Sequence, residues 1–346
     1  MTGAIELYAL GASFEVLAVC IPYTNLQWNR RYYEPGDFSM QVGADDFDPA
    51  WAYVWSPERP EMGMVQKVAY SADGGYDGTV QVSGFFVEKM LDDRVCYPRY
   101  TGDEQATETA VRKIFAAYSE GLPISLGPVN DPPIGDRTQS DFSDDELGSK
   151  LYSILETREA SLRVAYDLEA NALRLSVWQG LDRTQGQSVN PWAVFSTAWG
   201  NLSGESVDLD ASAYKNACLV LAQEDGDGVP GVTLTVDLSA EGEMRRLMLL
   251  DKRSSKPEDG QGAEEFRAAL EQEAMEALAD AQPVTTVDAD VEGYLDSFDL
   301  GDRVSVDIPA VGLAMDARVV EVNEVFKAEG HEATAVFGNK KVRRTM

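Results

Sequence analysis

Apolar and polar residues alternate with the period of an extended strand at both ends of the chain, and a helical period replaces it in three stretches between. Ile5 and Leu7, then Val16–Val19, flank Gly11-Ala12-Ser13 and predict an N-terminal hairpin. Tyr23–Tyr33 is rich in aromatics, and Phe38, Met40 and Val42 alternate with Ser39 and Gln41. Between these strands, Glu34–Asp37 reads as a type II turn, because Pro35 presets a negative φ and Gly36 accepts a positive one. Such a turn twists against a tight hairpin, so a corner is expected rather than a narrow ribbon. Met64–Tyr70 and Thr79–Phe85 are strand-like runs joined by the turn signal Asp73-Gly74-Gly75. Residues 1–95 therefore read as a barrel-like antiparallel β unit.

Ala106, Ala110, Ile114 and Ala117 share a helical stripe with Phe115 and Tyr118 beside it, and polar residues such as Glu108, Arg112 and Lys113 lie around it. After Asp131-Pro132-Pro133, the capping box Ser143-Asp144-Asp145-Glu146 precedes a second helix with Leu147, Leu151, Ile154 and Leu155 on one face. The alternating runs Leu162–Tyr166 and Leu173–Trp178 complete a small α+β domain at 96–182. Strands return at Tyr214–Leu221, Val232–Val236 and Arg246–Leu250, followed by a polar loop, Lys252–Gly262. Phe266, Leu270, Ala274 and Leu278 then mark a helix at 263–281 that Pro283 ends. Val304–Val306, Ala317–Val325 and Ala333–Phe337 close a second β-barrel-like region, 183–346, before the basic run Lys340–Arg344. The fold class is α+β with β dominant.

Charge narrows the function. Lys plus Arg number 29 against 59 Asp plus Glu, a formal net charge of −30, which opposes a sequence-specific nucleic-acid surface and an anionic membrane. Met1–Pro22 has no basic n-region, and no apolar run is long enough to span a bilayer, so no signal peptide or membrane anchor is expected. Cys20, Cys96 and Cys218 are widely spaced and read as small buried hydrophobes. The single histidine, His331, has no nucleophile motif beside it, and no GxSxG, HExxH or phosphate loop occurs. Asp225-Gly226-Asp227-Gly228 resembles the start of a calcium loop without its later ligands and reads as a turn. No cofactor, metal or catalytic residue is expected.

The densest signal is Trp28–Phe38. Strand geometry puts Trp28, Arg30 and Tyr32 on one face and Asn29, Arg31 and Tyr33 on the other. Rings covering a sheet, with guanidinium groups paired to local carboxylates, would explain it. A subunit interface through Trp28, Arg30, Arg31, Tyr32, Tyr33, Glu34, Pro35, Gly36 and Phe38 would also explain it, since Tyr, Trp and Arg dominate association energy.

Four ordered segments carry a resemblance. Trp28–Phe38, Gly180–Arg183 followed by Asn190-Pro191 and Phe195-Ser196, Tyr214-Lys215-Asn216, and Tyr294–Val304 together resemble siphophage and prophage tail-hub proteins. The resemblance implies a baseplate-hub fold with two tail-tube-like β-barrels carrying smaller α/β domains, assembled as a homotrimer at the virion tail tip after synthesis in the host cytoplasm. It implies a distal tail ring protein, a tape-measure protein and receptor-binding or fibre proteins as partners, with genomic DNA passing through a channel. Two other readings stay open: a tail-associated cell-wall-degrading enzyme, and a carbohydrate-binding tail-tip module stacking sugars on Trp51, Trp55 or Trp192.

Overall fold

The computed structural model describes residues 4–72, 78–98, 100–142, 145–222, 232–255, 262–327 and 330–338. Asp73-Gly74-Gly75, Ser143 and Asp144 of the expected capping box, Asp225–Gly228 and Lys340–Arg344 lie outside them. The chain forms two compact units, Met1–Ser206 with Thr286–Met346, and Val207–Thr285.

The first unit is built on the strand Tyr23–Arg31, whose Leu26, Trp28 and Arg30 alternate inward as a period of two requires. It pairs antiparallel with Asp37–Gly43, Trp28 opposite Phe38, and that strand leads on to Thr79–Phe85 and Lys67–Ser71. Its other edge pairs antiparallel with Leu313–Lys327, Trp28 opposite Glu324, and then come Gly330–Gly338, Val284–Val291 and Leu202–Asp210. Arg303–Ile308 also joins Leu313–Lys327, and Val194–Ser196 lies parallel to it, giving a 10-stranded sheet among the described residues. The strand path is open, so the two expected barrels do not form among the described residues. The β regions assigned to 1–95 and 183–346 are instead one sheet, fused where Tyr23–Arg31 meets Leu313–Lys327. Neither strand has a local signal for that partner, because long-range register is chosen by matching buried faces.

Two strand predictions hold and one turn differs. The N-terminal hairpin forms from Tyr8–Leu10 and Val16–Ala18, and Lys67–Ser71 pairs with Thr79–Phe85. Tyr23–Arg31 and Asp37–Gly43, however, are direct neighbours in the sheet rather than arms of a corner, and Gly36 does not take a positive φ. Glycine is required there for space: a Cβ would collide with the Asn29 carbonyl and the Phe86 ring. Helix α2, Leu147–Glu156, has no side-chain cap; the Leu147 N–H donates to the Arg94 carbonyl at 2.8 Å.

Helices α1, Thr107–Tyr118, and α2 contact each other, and α2 contacts the strand Ser161–Asp167, which pairs with Ala172–Trp178; Ile124–Leu126 adds a parallel third strand. This layer shares its core with Leu10, Met62, Val87 and Leu91, so 96–182 is not a separate unit. The buried stripe of α1 is Ala110, Val111, Ile114 and Phe115, turned from the expected one, and Ala117 is exposed. The rotation buries Glu108, whose carboxylate accepts N–H groups from Asn130 and Ile134 at 3.1 and 2.9 Å and anchors that loop.

In the second unit, Ala217–Ala222 pairs antiparallel with Val232–Asp237 and parallel with Leu247–Lys252. Helix α3, Ala263–Asp280, buries Phe266, Leu270, Ala274 and Leu278 in the same core as Cys218, Val220 and Leu234, the face its sequence predicts. Cys96 and Cys218 are buried, whereas Cys20 is exposed, with its Sγ 3.0 Å from the Glu6 carboxylate.

Candidate functional site

Three of the four sequence segments that carry the resemblance meet in the first unit, and they meet through charge. Arg30 continues the buried face of its strand beyond Trp28, which puts a guanidinium where an apolar group is expected. Its Nε lies 2.9 Å from Glu61, its Nη1 2.6 Å from Asp299, and Nη1 also donates to the Tyr294 hydroxyl. That hydroxyl is 3.3 Å from Glu324, which opposes Trp28 in the neighbouring strand and receives two hydrogen bonds from Arg59. His331 completes the group, its Nε2 3.1 Å from Glu324 and its ring stacked on Phe326 at 4.3 Å between centroids.

Burial and charge pull against each other here. Burial penalises the Arg30 cation, yet Glu61, Asp299 and Glu324 hold its pKa well above the usual value. Burial would raise Glu324, but hydrogen bonds from Arg59 and His331 lower it to about 2. Burial, helped by the Glu324 and Asp299 carboxylates, drives Tyr294 upward against the pull of Arg30, so it remains a neutral phenol between cation and carboxylate. The result is a knot of paired charges, in which Arg30 Nη2 meets Glu61 as an ion pair at 2.9 Å. Such knots specify one arrangement of their strands more than they add net stability.

Beside it, Asp302 fastens the second segment to the third. One carboxylate oxygen accepts the Leu181 N–H at 2.7 Å; the other accepts Arg183 Nε at 2.7 Å and the Asp299 N–H at 3.0 Å. Backbone bonds Arg183 N to Arg303 O, 2.7 Å, and Arg303 N to Leu181 O, 2.9 Å, run alongside. Gly180 must be glycine because the Gly301 carbonyl occupies its Cβ position, and Gly301, at φ +82°, lies against Tyr32 and Trp178. Asn190 donates to the Asp182 carbonyl at 2.9 Å, and Phe195 packs edge-on against Phe298 at 4.9 Å. Tyr214-Lys215-Asn216 belongs to the second unit, where Asn216 accepts the Arg246 N–H at 2.6 Å and donates to the Met244 carbonyl at 3.1 Å.

The residues predicted as an interface are mostly consumed inside the chain. Trp28 packs on Phe38 and Phe86 at 5.8 and 4.7 Å. Tyr32 packs edge-on against Tyr33 and Trp178 and donates to the Glu159 carbonyl at 3.1 Å; burial pushes its pKa up to about 12. Arg31 pairs with Asp37 at 2.6 Å and with Glu34 and Glu321, and also donates to the Pro35 carbonyl at 3.2 Å. Trp28, Arg30, Tyr32, Tyr33 and Phe38 are buried within the chain itself. The same residue types supply core and interface energy alike; Arg31, Glu34 and Pro35 of this stretch stay partly exposed.

Glu61, Arg59, Glu88 and Glu324 escaped sequence reasoning. For Glu324 a signal existed: it falls on the apolar phase of Val322 and Phe326. Of the tryptophans read as sugar platforms, Trp51 is buried, Trp55 is half-buried, and Trp192 is exposed with its Nε1 donating to the Gln187 carbonyl at 2.8 Å.

This fold is that of phage tail proteins. It is similar over 96% of its length to 97% of the prophage MuSo2 43 kDa tail protein from Shewanella oneidensis, at 14% identity and a TM-score of 0.62. It is similar over 98% to 97% of the tail protein from Neisseria meningitidis MC58, at 14% identity and a TM-score of 0.63. Prophage tail protein gp18 from Listeria monocytogenes EGD-e is similar over 98% of this chain and 96% of its own, at 12% identity and a TM-score of 0.57. No curated protein matches the sequence. The chain belongs to the Siphovirus ReqiPepy6 Gp37-like protein family, whose model matches residues 6–339.

Proposed function

We propose that this chain is a non-catalytic structural subunit of the tail tip, forming the hub ring that closes the tail tube. The observation that carries this reading is agreement along the whole chain, in family and in fold, with tail proteins. The buried knot supports it in kind: charges locked to one another and away from solvent hold strands in register. In this reading the hub is a homotrimer that meets a distal tail ring protein and the tape-measure protein above, and receptor-binding or fibre proteins below. Part of the −30 charge faces the channel, so that departing DNA is repelled rather than held.

Electron microscopy of particles made without this chain tests the assignment. The expected result is tubes that lack a tip and regain it when the intact chain is supplied. Normal tips on particles lacking the chain would overturn it.

A further inference from the structure

A pocket outside the knot carries a separate inference. The strand Tyr53–Trp55 ends in Ser56-Pro57-Glu58-Arg59-Pro60, where two prolines restrict the backbone and the Arg59 N–H closes back on the Ser56 carbonyl at 3.3 Å. Across from it, Ser161–Asp167 contributes Tyr166. Trp55 and Tyr166 stand nearly at right angles, 77° apart with centroids separated by 5.3 Å, and form two walls of a cavity of about 320 Å³. Pro57 and Pro60 line it, with Glu58 and Arg59.

Its polar groups are unequal. Arg59 is buried, with Nε and Nη2 committed to Glu324 and Nη1 to the Glu58 carbonyl, so it offers no free donor fork to an anion. Glu58 is exposed, and one carboxylate oxygen accepts the Glu6 N–H at 2.9 Å. Glu58 forms no ion pair among the described residues. A corner of two aromatic walls with an unneutralised carboxylate at its mouth attracts a cation through ring quadrupole and charge together.

We propose that this pocket binds an organic ammonium group. The group would lie in the corner where the Trp55 and Tyr166 rings meet edge to face, with Glu58 as counter-ion. Two sources share this chemistry: a lysine side chain of a protein partner, and a quaternary ammonium headgroup at a cell surface. The inference does not depend on the tail-hub reading.

The test uses the full chain and follows binding by saturation-transfer difference on the probe's own resonances, a readout that every variant shares. The probes are choline chloride, butylammonium chloride and the neutral isostere of choline in which carbon replaces nitrogen. The expected result is saturable binding of a cation, weakened about 3- to 30-fold in the isostere. Glu58→Gln, which keeps an oxygen to accept the Glu6 N–H, weakens it by a similar factor, and Trp55→Ala removes it. Choline binding without butylammonium binding assigns a headgroup, and butylammonium binding as tight or tighter assigns a lysine. Equal binding of choline and its isostere, binding unchanged in both Glu58→Gln and Trp55→Ala, or no binding at all would overturn the proposal.

Discussion

The Arg30 guanidinium lies 2.6 Å from the carboxylate of Asp299, a residue 269 positions further along the chain. The contact ties an N-terminal strand to a C-terminal loop, and Glu61 and Glu324 share the same cation. Truncating Arg30 leaves Glu61 buried without its counter-charge. Arg30→Ala is therefore expected to destabilise the fold by about 3–5 kcal/mol. Urea denaturation measures this, and a loss under about 1 kcal/mol would show that the knot is not structural.

Two buried carboxylates give pH dependence of opposite sign. Burial raises Glu88 to about 7, against an ordinary 4.5, although it accepts the Val164 N–H at 2.9 Å. The folded state thus binds the extra proton, so the Glu88 contribution to stability is greatest below about 4.5 and is lost as pH rises toward 7. Glu88→Gln should stabilise the chain by about 2–4 kcal/mol at pH 8 and hardly at pH 4. Glu324, held near 2, works the other way: its contribution is present above about 4.5 and is lost as pH falls toward 2. Glu324→Gln should cost about 3–5 kcal/mol at pH 7 and progressively less in acid. Denaturation midpoints across pH for both variants check the signs, and parallel curves for the two would contradict them.

Gly180→Ala places a methyl group on the Gly301 carbonyl, where the second and third segments touch. A loss of about 1–3 kcal/mol is expected, as for other overpacked sites. Gly186→Ala is the control, since its nearest neighbour would be Thr184 Oγ1 at 3.7 Å, and it should change stability by less than about 0.5 kcal/mol. Thermal unfolding of the pair distinguishes crowding at Gly180 from a general effect of replacing glycine.

Local patterns were legible in the sequence and long-range partners were not. Phe266, Leu270, Ala274 and Leu278 announced α3 because a helix is specified by its own spacing. In α1 the same spacing misled by part of a turn, since Glu108 is drawn inward by the amides of Asn130 and Ile134, which lie well beyond the helix. Trp28 and Arg30 were placed on one face correctly, whereas Tyr32 and Tyr33 lie past the end of the strand and are both buried; whether that face met a core depended on Leu313–Lys327 arriving beside it. Gly36 was read as a φ requirement when it is a space requirement, a distinction only the Phe86 ring and the Asn29 carbonyl reveal. Three of the four ordered motifs that resemble the family converge on Arg30 and Asp302, while Tyr214-Lys215-Asn216 lies in the second unit.

The most direct measurement of the hub reading is the solution mass of the purified chain by light scattering, over a range of protein and salt concentrations. The account predicts a species of three times the 37.8 kDa chain mass that persists on dilution. A single-chain mass at every concentration would contradict it.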